Sequence, residues 1–565
     1  MKKWKILNNE EYLVNSVKEL ISALLKNRGI AELELDNYLH PDLETVTLSS
    51  AGINEQAVKK TIARIKQAIE NDEGIVIYGD YDVDGICGTG ILWETIYSFY
   101  KNVHPYIPHR VDEGYGLSVA GIKNLKSTLS SVNIKNCGLI ITVDNGIVAH
   151  KAVDYAKSVG IDVIITDHHV VGDTLPSAHS IVHTTQLCGT GVAYLLAQEI
   201  SKEIHDAEAV IQNSLELVAL ATVADLVPLV KHNRTLLKHG LAQLKNTKRV
   251  GLLELFLEAG IKRSEVDVYH IGHIIAPRLN ATGRITHAMD ALRLICTTDA
   301  SRGKLLAAVL GKTNKERQVM TFDSAAHAID LAKSQKSASS SSQDGLEASS
   351  LVLVGDESYD QGVIGLIASR LVEEFYRPSI AVSIGETYSK GSARSIPGVN
   401  IIELIRSVPE YLKEAGGHPM AAGFSIETKN LEKFKEALVK KANETINDEL
   451  FEKVVKIDAE IGFSLVTMDV LLELQKLSPF GMGNPSPVFV TRGVTIASIN
   501  YVGKNKEHMQ LMLEKDAVFL KGILFKFDRA LQLEPGKLVD VVYSIDKNEW
   551  NGKVSLQLKI KDIQA

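Results

Sequence analysis

The sequence predicts a multidomain α/β protein with a doubly wound parallel sheet, a smaller α/β domain and a β-rich C-terminal domain. Three short apolar runs lack polar alternation and end in an acidic or histidine-containing turn: GIVIYGD (74–80), GLIITVD (138–144) and DVIITDHH (162–169). Such runs are typical of strands buried on both faces of a parallel sheet. Helical patterns such as GTGILWETIYSFY separate them and give the strand–helix units of a doubly wound domain. After about residue 451 the runs become short and alternating, which predicts a small β-barrel or sandwich.

Length and composition favour several globular domains. The chain has 565 residues, of which 45% are hydrophobic and 23% charged, and a domain takes about 150 residues. The longest apolar run, LVALATVADLVPLV, is broken by Asp225 and Pro228, and the N-terminus has no apolar stretch typical of a signal peptide. We therefore expect a cytoplasmic protein without a membrane partner. The four cysteines form no CxxC pair, so neither a zinc knuckle nor a disulfide framework is expected.

The patterns divide the chain into six segments. A long helical pattern is followed by a Ser-rich stretch of low complexity, and a second strand–helix pattern ends near GGHPMAAGF. The predicted segments are an N-terminal helical region (1–53), the doubly wound domain (54–240), a helical connector with a long helix (241–335), a flexible loop (336–350), the smaller α/β domain (351–450) and the β-rich domain (451–565).

Net charge alone does not decide the partner. The formal net charge of −7 argues against nucleic acid, but from Pro485 onward basic residues outnumber acidic ones. Part of the acidity elsewhere is expected in a metal site.

Acidic residues and histidines follow the predicted strands, at the sheet edge where open α/β domains bind ligands. They are Asp80, Asp82, Asp84, Asp144, Asp167, His168, His169 and Asp225, each expected at a strand end. So many carboxylates cannot all stay ionised without cations. Mixed Asp and His ligands suit Mn²⁺ or Mg²⁺, and two such ions predict phosphoester hydrolysis. The DxDxD triplet alone resembles a turn or a calcium loop, but Ile91 stands where an EF-hand needs its bidentate Glu.

The stretches YGDYDVDG, TVDNG, TDHH and ATVADLVPL resemble the four motifs of the DHH phosphoesterase superfamily. With PRLNATGRI, GLIASRL, GSARSIPG, GGHPMAAGF and LSPFGMGNPSPVF, the series resembles the RecJ family of bacterial single-strand-specific exonucleases from about Ile75 onward. The resemblance implies a DHH domain, a long connecting helix, a DHH-associated domain and an OB-like domain. It also implies a 5′→3′ exonuclease on single-stranded DNA that depends on Mn²⁺ or Mg²⁺ and serves recombination and repair.

The resemblance also implies roles for individual residues. The metal ligands would be Asp82, Asp84, Asp144, His168 and Asp225, with Asp144 as the bridge. His169 would contact the scissile phosphate or transfer a proton, and Asp80 would hold a water or a ligand. Ligation by both adjacent histidines is disfavoured, because neighbouring side chains in an extended segment point apart.

Recognition of a 5′-phosphate calls for arginine and backbone donors. The candidates by resemblance are Arg110, Arg278, Ser369, Arg370 and His418, with Arg278 and Arg370 first. The alternative for each arginine is a surface ion pair. Strand contacts in the OB-like domain are expected among Tyr501, Lys504, Lys506, Phe525 and Lys526, with core packing for at least one of Phe525 and Phe527.

Three other functions share this motif set. A DHH phosphodiesterase for very short oligonucleotides or cyclic dinucleotides needs no large β-rich tail, and neither does a manganese-dependent pyrophosphatase. A scaffold that has lost its metals does not need the intact acids and histidines. The expected partners are single-stranded DNA and, as typical of such nucleases, a single-strand-binding protein and a helicase.

Overall fold

The computed structural model describes residues 2–7, 13–109, 112–131, 134, 136–338, 349–527, 532–550 and 553–564. The chain divides into two compact units. The large unit comprises Trp4–Gly283, His287–Leu310 and Val455–Ala565, and the small unit comprises Met1–Lys3, Arg284–Thr286 and Gly311–Val454. Among the described residues, no helix combines the length and the apolar character needed to cross a membrane.

The N-terminal region belongs to the C-terminal domain by its packing. Its elements are β1 (Lys3–Ile6), α1 (Val17–Asn27) and α2 (Leu35–Leu39). The segment predicted as helical thus begins with a strand, which pairs with a strand of the C-terminal domain. Leu20 and Leu24 of α1 are fully buried in the core of that domain.

A five-stranded parallel sheet forms the centre of the large unit. Its strands are β2 (Gly74–Tyr78), β3 (Val103–Tyr106), β4 (Cys137–Val143), β5 (Asp162–Asp167) and β6 (Ser180–His183), in the order β3-β2-β4-β5-β6. Alternate residues of β2 enter two different cores, Ile75 and Ile77 on one face and Val76 and Tyr78 on the other. The doubly wound parallel sheet predicted from unbroken apolar runs is therefore confirmed. Its order reverses between β2 and β4, which is the position where such sheets bind ligands.

Helices surround this sheet and continue well past it. Those of the sheet region are α3 (Glu55–Glu70), α4 (Val83–Phe99), α5 (Val119–Ser131), α6 (His150–Ser158), α7 (Gly189–Glu203), α8 (Glu208–Gln212) and α9 (Leu215–Ala224). They are followed by α10 (Lys231–Leu244), α11 (Val250–Glu258), α12 (Val268–His270), α13 (Ala276–Ile285), α14 (Met289–Cys296) and α15 (Ala300–Ala338), with a π-helical turn at Ile271–Ile275 between α12 and α13.

The helices after residue 240 share the core of the parallel sheet. Helix α10 runs through the predicted boundary, and Leu236, Leu255 and Leu310 lie in one hydrophobic cluster with β2 and β4. The expected long helix is α15, which extends to Ala338. Residues 339–348 of the predicted Ser-rich loop lie outside the described residues.

The small unit contains a mixed sheet in the order β10-β11-β9-β8-β7. Its elements are β7 (Val352–Asp356), α16 (Ile364–Phe375), β8 (Ser379–Ser383), β9 (Tyr388–Arg394), α17 (Ile401–Arg406), β10 (Leu412–His418), β11 (Ala421–Glu427) and α18 (Leu431–Thr445). Only β7 and β8 pair in parallel. The segment GGHPMAAGF forms the β10–β11 hairpin, with His418 opposite Ala421.

The C-terminal domain is a closed β-barrel. Its elements are β12 (Val454–Ile457), β13 (Ala459–Glu460), α19 (Met468–Gln475), β14 (Phe489–Val502), β15 (His508–Lys515), β16 (Val518–Leu524), β17 (Leu538–Trp550) and β18 (Lys553–Gln564). The ring β14-β15-β16-β18-β17 closes because β17 also pairs with β14. Closure leaves these five strands without a free edge. As expected for one of the two phenylalanines, Phe527 packs against the barrel core, whereas Phe525 is 52% exposed.

Replacing Arg249 by alanine tests how the later helices are held to the sheet region. Its guanidinium donates two hydrogen bonds to Glu94 of α4 (2.7 and 2.8 Å) and lies 3.0 Å from the buried Glu216 of α9. Without it, both carboxylates lose their partner, so we expect Arg249→Ala to lower the free energy of unfolding by about 3–5 kcal/mol. Urea denaturation followed by circular dichroism measures the change. A loss no larger than that of the exposed Arg302→Ala contradicts this role.

Candidate metal centre

Three adjacent parallel strands deliver most of the predicted site residues to one edge of the sheet. The acidic loop 80–84 follows β2, Asp144 follows β4, and the segment 167–169 ends β5. Since β2 and β4 flank the point where the strand order reverses, the residues converge at the expected ligand position.

The acidic loop is held by the start of helix α4. Asp82 is its N-cap, and its Oδ1 accepts hydrogen bonds from the backbone N–H groups of Asp84 (3.0 Å) and Gly85 (3.1 Å). A Cβ at Gly85 would lie 2.5 Å from the backbone nitrogen of Asp80, so only glycine allows the loop to fold back this tightly. The Oδ1 of Asn280, in α13, accepts from the N–H of Val83 at 2.9 Å. A residue that the sequence did not single out thus fixes the acidic loop from a distant helix.

Asp84 is held by the first turn of helix α7. Its two carboxylate oxygens accept from the N–H groups of Gly189 (2.7 Å) and Thr190 (2.6 Å). The helix N-terminus favours a negative charge there. A Cβ at Gly189 would lie 2.7 Å from the Cβ of Asp144. The glycine therefore lets α7 approach both aspartates at once.

Asp144 has a left-handed backbone conformation, with φ of 63°. Its N–H donates to the carbonyl of Thr166 on the neighbouring strand at 3.0 Å. Aspartate tolerates this conformation better than most residues. The side chain of Asp144 is 3% exposed.

Asp225 does not follow a strand, so that prediction is wrong. It is the C-cap of helix α9. The run LVALATVA is buried on all sides of this helix, and an apolar run without periodicity does not distinguish a buried helix from a buried strand. The helix nevertheless brings a carboxylate oxygen of Asp225 within 3.6 Å of His168 Nε2.

His168 lies at the centre of the carboxylates. Its Nε2 is 3.1 Å from Asp144, 3.6 Å from Asp225 and 3.7 Å from Asp84. Within the described part of the chain, His168 Nε2 and Asp144 Oδ1 are buried without a hydrogen bond. Buried polar atoms are rarely left in this way. An N/O donor set with this spacing fits a hard or borderline divalent cation such as Mn²⁺ or Mg²⁺.

Asp80 belongs to the same cluster. One oxygen each of Asp80, Asp82 and Asp144 lies within 4.8 Å of the others, as do the ligand atoms of the group Asp84, His168 and Asp225. A third group of this kind contains Asp144 and both histidines, His168 and His169, so the adjacent histidines do offer donor atoms to one position. Together the three groups give donor atoms for divalent cations.

Crowding of charge perturbs the titration of the cluster. Burial and the charge of Asp84 raise the pKa of Asp82, and they raise the pKa of Asp144 well above its usual value. The same causes raise the pKa of Asp225 to about 8. Burial lowers the pKa of His168. Without cations the cluster therefore holds protons that metal binding must displace.

His169 is oriented by Asp167. The two rings of His168 and His169 do not point apart, since β5 ends at Asp167 and the ring centroids lie 4.5 Å from each other. His169 Nδ1 hydrogen-bonds Asp167 Oδ1 at 2.8 Å. Burial by itself would lower the pKa of His169, but the hydrogen bond and charge of Asp167, together with the charges of Asp225 and Asp80, raise it to about 9. Asp167 also accepts from the backbone N–H groups of Ile147 and His168. The sequence places Asp167 at this edge of the sheet, but no local pattern shows that it orients His169.

The predicted phosphate-binding residues lie in several places. Arg278, in α13, donates to Glu258 (2.7 Å) and to the carbonyl of Ile274 (3.0 Å), so it forms the ion pair named as the alternative. Arg110 lies outside the described residues. In the small unit, the exposed Arg370 pairs with Glu373 at 2.6 Å, while Ser369 Oγ donates to the carbonyl of Gly365. His418 is exposed at the end of β10.

Aromatic and basic side chains of the barrel form an exposed set. Tyr501 is 48% exposed and contacts Phe527, with ring centroids 5.5 Å apart. Phe525 lies against His508 at 5.1 Å. The predicted lysines Lys504, Lys506 and Lys526 are exposed in the neighbouring turns.

Three protein families match successive parts of the chain. They are described as "DHH family, N-terminal domain" (residues 74–222), "DHHA1 domain" (347–448) and "RecJ OB domain" (457–562). The single-stranded-DNA-specific exonuclease RecJ of Bacillus subtilis is 35% identical over 580 residues, which cover 99% of this chain and 70% of the relative. This chain belongs to the RecJ family.

Further RecJ proteins support the assignment. That of Dickeya dadantii is 30% identical, over 98% of this chain and 97% of its own length. Crystal structures of RecJ from Thermus thermophilus with Mn²⁺ and with Mg²⁺ match the whole chain, with TM-scores of 0.81 and 0.75 and identities of 27% and 25%. The matched regions cover 79% and 78% of the two Thermus chains. The expected DHH, DHH-associated and OB domains of the RecJ family are thereby confirmed.

Asp225→Asn tests the charge crowding through the pH dependence of stability. The pKa of Asp225 is raised to about 8, above that of an aspartate in the unfolded chain. Its contribution to folding stability is therefore fully present below about pH 4 and is lost as the pH rises through 8. In EDTA, we expect the melting temperature of the unsubstituted protein to decrease as the pH is raised from 5.5 to 8.5. The melting temperature of Asp225→Asn should decrease less over the same range. The exposed Asp154→Asn serves as control, and equal slopes for all three proteins contradict the charge crowding.

Proposed function

We propose that this RecJ-family chain is a metal-dependent exonuclease that degrades single-stranded DNA from the 5′ end, releases 5′-mononucleotides and acts in DNA recombination and repair. The carrying observation is the buried cluster in which His168 Nε2 lies within 3.7 Å of three carboxylates. Such a cluster suits phosphodiester hydrolysis. The relatives named as single-stranded-DNA-specific exonucleases supply the substrate class.

The donor atoms assign two Mn²⁺ or Mg²⁺ ions to this cluster. The residues that would hold them are Asp80, Asp82, Asp84, Asp144, His168 and Asp225. We include Asp80 among the proposed ligands because its carboxylate oxygen lies within 4.8 Å of those of Asp82 and Asp144. When bound, such ions activate a water and stabilise negative charge on the phosphate oxygens.

The protein's own contribution is orientation. Backbone amides of α7 fix the carboxylate of Asp84, and the left-handed turn fixes Asp144. Asp167 holds Nδ1 of His169 and keeps the imidazole beside the carboxylate cluster, where it can act on the scissile phosphate or in a proton transfer. These placements reduce the reorganisation that a reacting phosphodiester would otherwise require.

Residues outside the cluster recognise the strand in this proposal. The Arg370–Glu373 pair is exposed and therefore weak, so Arg370 can exchange it for a 5′-phosphate. Ser369 and His418 of the same unit stay predicted phosphate contacts, as do Arg278, which would first have to leave Glu258, and Arg110. The exposed aromatic and basic residues of the barrel suit stacking with unpaired bases.

A strand-specific enzyme depends on proteins that expose its substrate. We therefore assign it a helicase and a single-strand-binding protein as working partners. We also propose that it acts in the cytoplasm, in keeping with a DNA substrate.

Oligonucleotides labelled separately at each end test the function. In Mn²⁺, we expect labelled mononucleotides from the 5′ end of single strands, no digestion of a blunt duplex and no activity in EDTA. Asp144→Asn should lower the rate by at least about a thousandfold, since it removes a central charged ligand, while circular dichroism stays unchanged. Release from the 3′ end rejects the polarity, and cleavage confined to the shortest oligomers favours the short-substrate phosphodiesterase. Strand binding without hydrolysis by the unsubstituted protein indicates a scaffold.

Arg370→Ala tests recognition of the end. The change removes a charge-assisted donor, so we expect the preference for 5′-phosphate over 5′-hydroxyl strands, measured as the ratio of kcat/KM, to fall about tenfold. Lys333→Ala is the matched control, because Lys333 forms a similar exposed pair with Glu374 in the same unit. If the ratio is unchanged in Arg370→Ala, other residues recognise the 5′-phosphate.

A further inference from the structure

The hydroxyl of Tyr115 reaches the second nitrogen of His169. Its Oη lies 3.2 Å from His169 Nε2. The ring stands edge-on to that of His169, with centroids 6.2 Å apart, and edge-on to that of Tyr81 at 6.0 Å. Tyr115 is 55% exposed, so close packing around the side chain does not account for the position of its hydroxyl.

His169 is thus held at both ring nitrogens. Nδ1 contacts Asp167, which the N–H of Ile147 holds in turn at 2.9 Å. Nε2 contacts Tyr115. A phenol both donates and accepts hydrogen bonds, so this contact persists whichever tautomer or charge the imidazole carries.

The loop that carries Tyr115 is itself fixed next to the metal centre. Asn145 directly follows Asp144, and its Oδ1 accepts from the N–H of Leu117 at 3.0 Å. Its Nδ2 donates to the carbonyls of Val143 (2.9 Å) and Tyr78 (3.2 Å). The loop 115–117 is therefore tied to the ends of β2 and β4, the two strands that deliver the acidic residues.

We infer that Tyr115 is a positioning residue that acts through His169: its hydroxyl fixes the rotation of the imidazole against the carboxylate cluster. The inference rests on the proposed function. The second torsion of a histidine side chain has broad minima, and a contact at Nδ1 alone leaves the ring free to tilt. The contact at Nε2 removes this freedom and keeps the ring beside Asp144, whose Oδ1 lies 3.9 Å from Nδ1.

The substitution Tyr115→Phe removes only the hydroxyl. Partners that orient active-site ligands typically contribute about 10-fold to 100-fold to activity. We expect kcat on 5′-phosphorylated single strands to fall at least about tenfold, with KM and the Mn²⁺-induced rise in melting temperature unchanged. Tyr97→Phe is the matched control, because Tyr97 is a half-exposed tyrosine of α4 that contacts Trp93 and Lys101.

A double-mutant cycle with His169→Ala separates action through His169 from an independent role. Under single-turnover conditions, adding Tyr115→Phe to His169→Ala should cause no further loss. Additive losses, a raised KM with unchanged kcat, or activity equal to that of the unsubstituted protein each overturn the inference. If His169→Ala is too slow to measure, the separation of kcat from KM in Tyr115→Phe alone decides.

The same assays distinguish this inference from the proposed function. An unsubstituted protein that releases no nucleotides in Mn²⁺ rejects the function, and the positioning role with it. An active protein that loses nothing in Tyr115→Phe rejects the positioning role alone.

Discussion

Repulsion between buried carboxylates is the constraint on which the rest of this structure depends. Asp82, Asp84, Asp144 and Asp225 lie close enough for burial and mutual charge to raise the pKa of three of them. Backbone N–H groups offset part of this cost at Asp84, where helix α7 begins. Divalent cations can offset the remaining repulsion between the carboxylates, so the site is expected to be most stable with metal bound.

The strand order places the cluster, but the parallel sheet does not complete it. The reversal between β2 and β4 brings Asp80–Asp84 and Asp144 to one crevice. Asp225 comes from helix α9, which follows the last strand of the sheet. Asn280 lies 197 residues after Val83 and accepts a hydrogen bond from its N–H at the start of α4. The helices after the sheet share its hydrophobic core, and this packing holds Asp225 and Asn280 in place at the site.

Hydrogen-bonding side chains next to the carboxylate cluster support its residues. Asn145 fixes the loop of Tyr115, and Asp167 fixes the ring of His169. Each makes its contacts within a few residues of a proposed ligand. Accurate placement of reacting groups requires such support, because a ligand held only by its own backbone retains rotational freedom.

The sequence by itself determined the buried parallel strands, the β-rich C-terminal domain and the acid and histidine motifs, because these depend on patterns within a few neighbouring residues. Only the tertiary structure decided that Asp225 ends a helix, that both histidine rings turn to one side and that Arg278 pairs with Glu258. A uniformly buried run carries no periodicity, and a turn after a strand reorients side chains in ways that alternation does not predict. The roles of Asn280 and Tyr115 arise from contacts between distant segments, which no local pattern records.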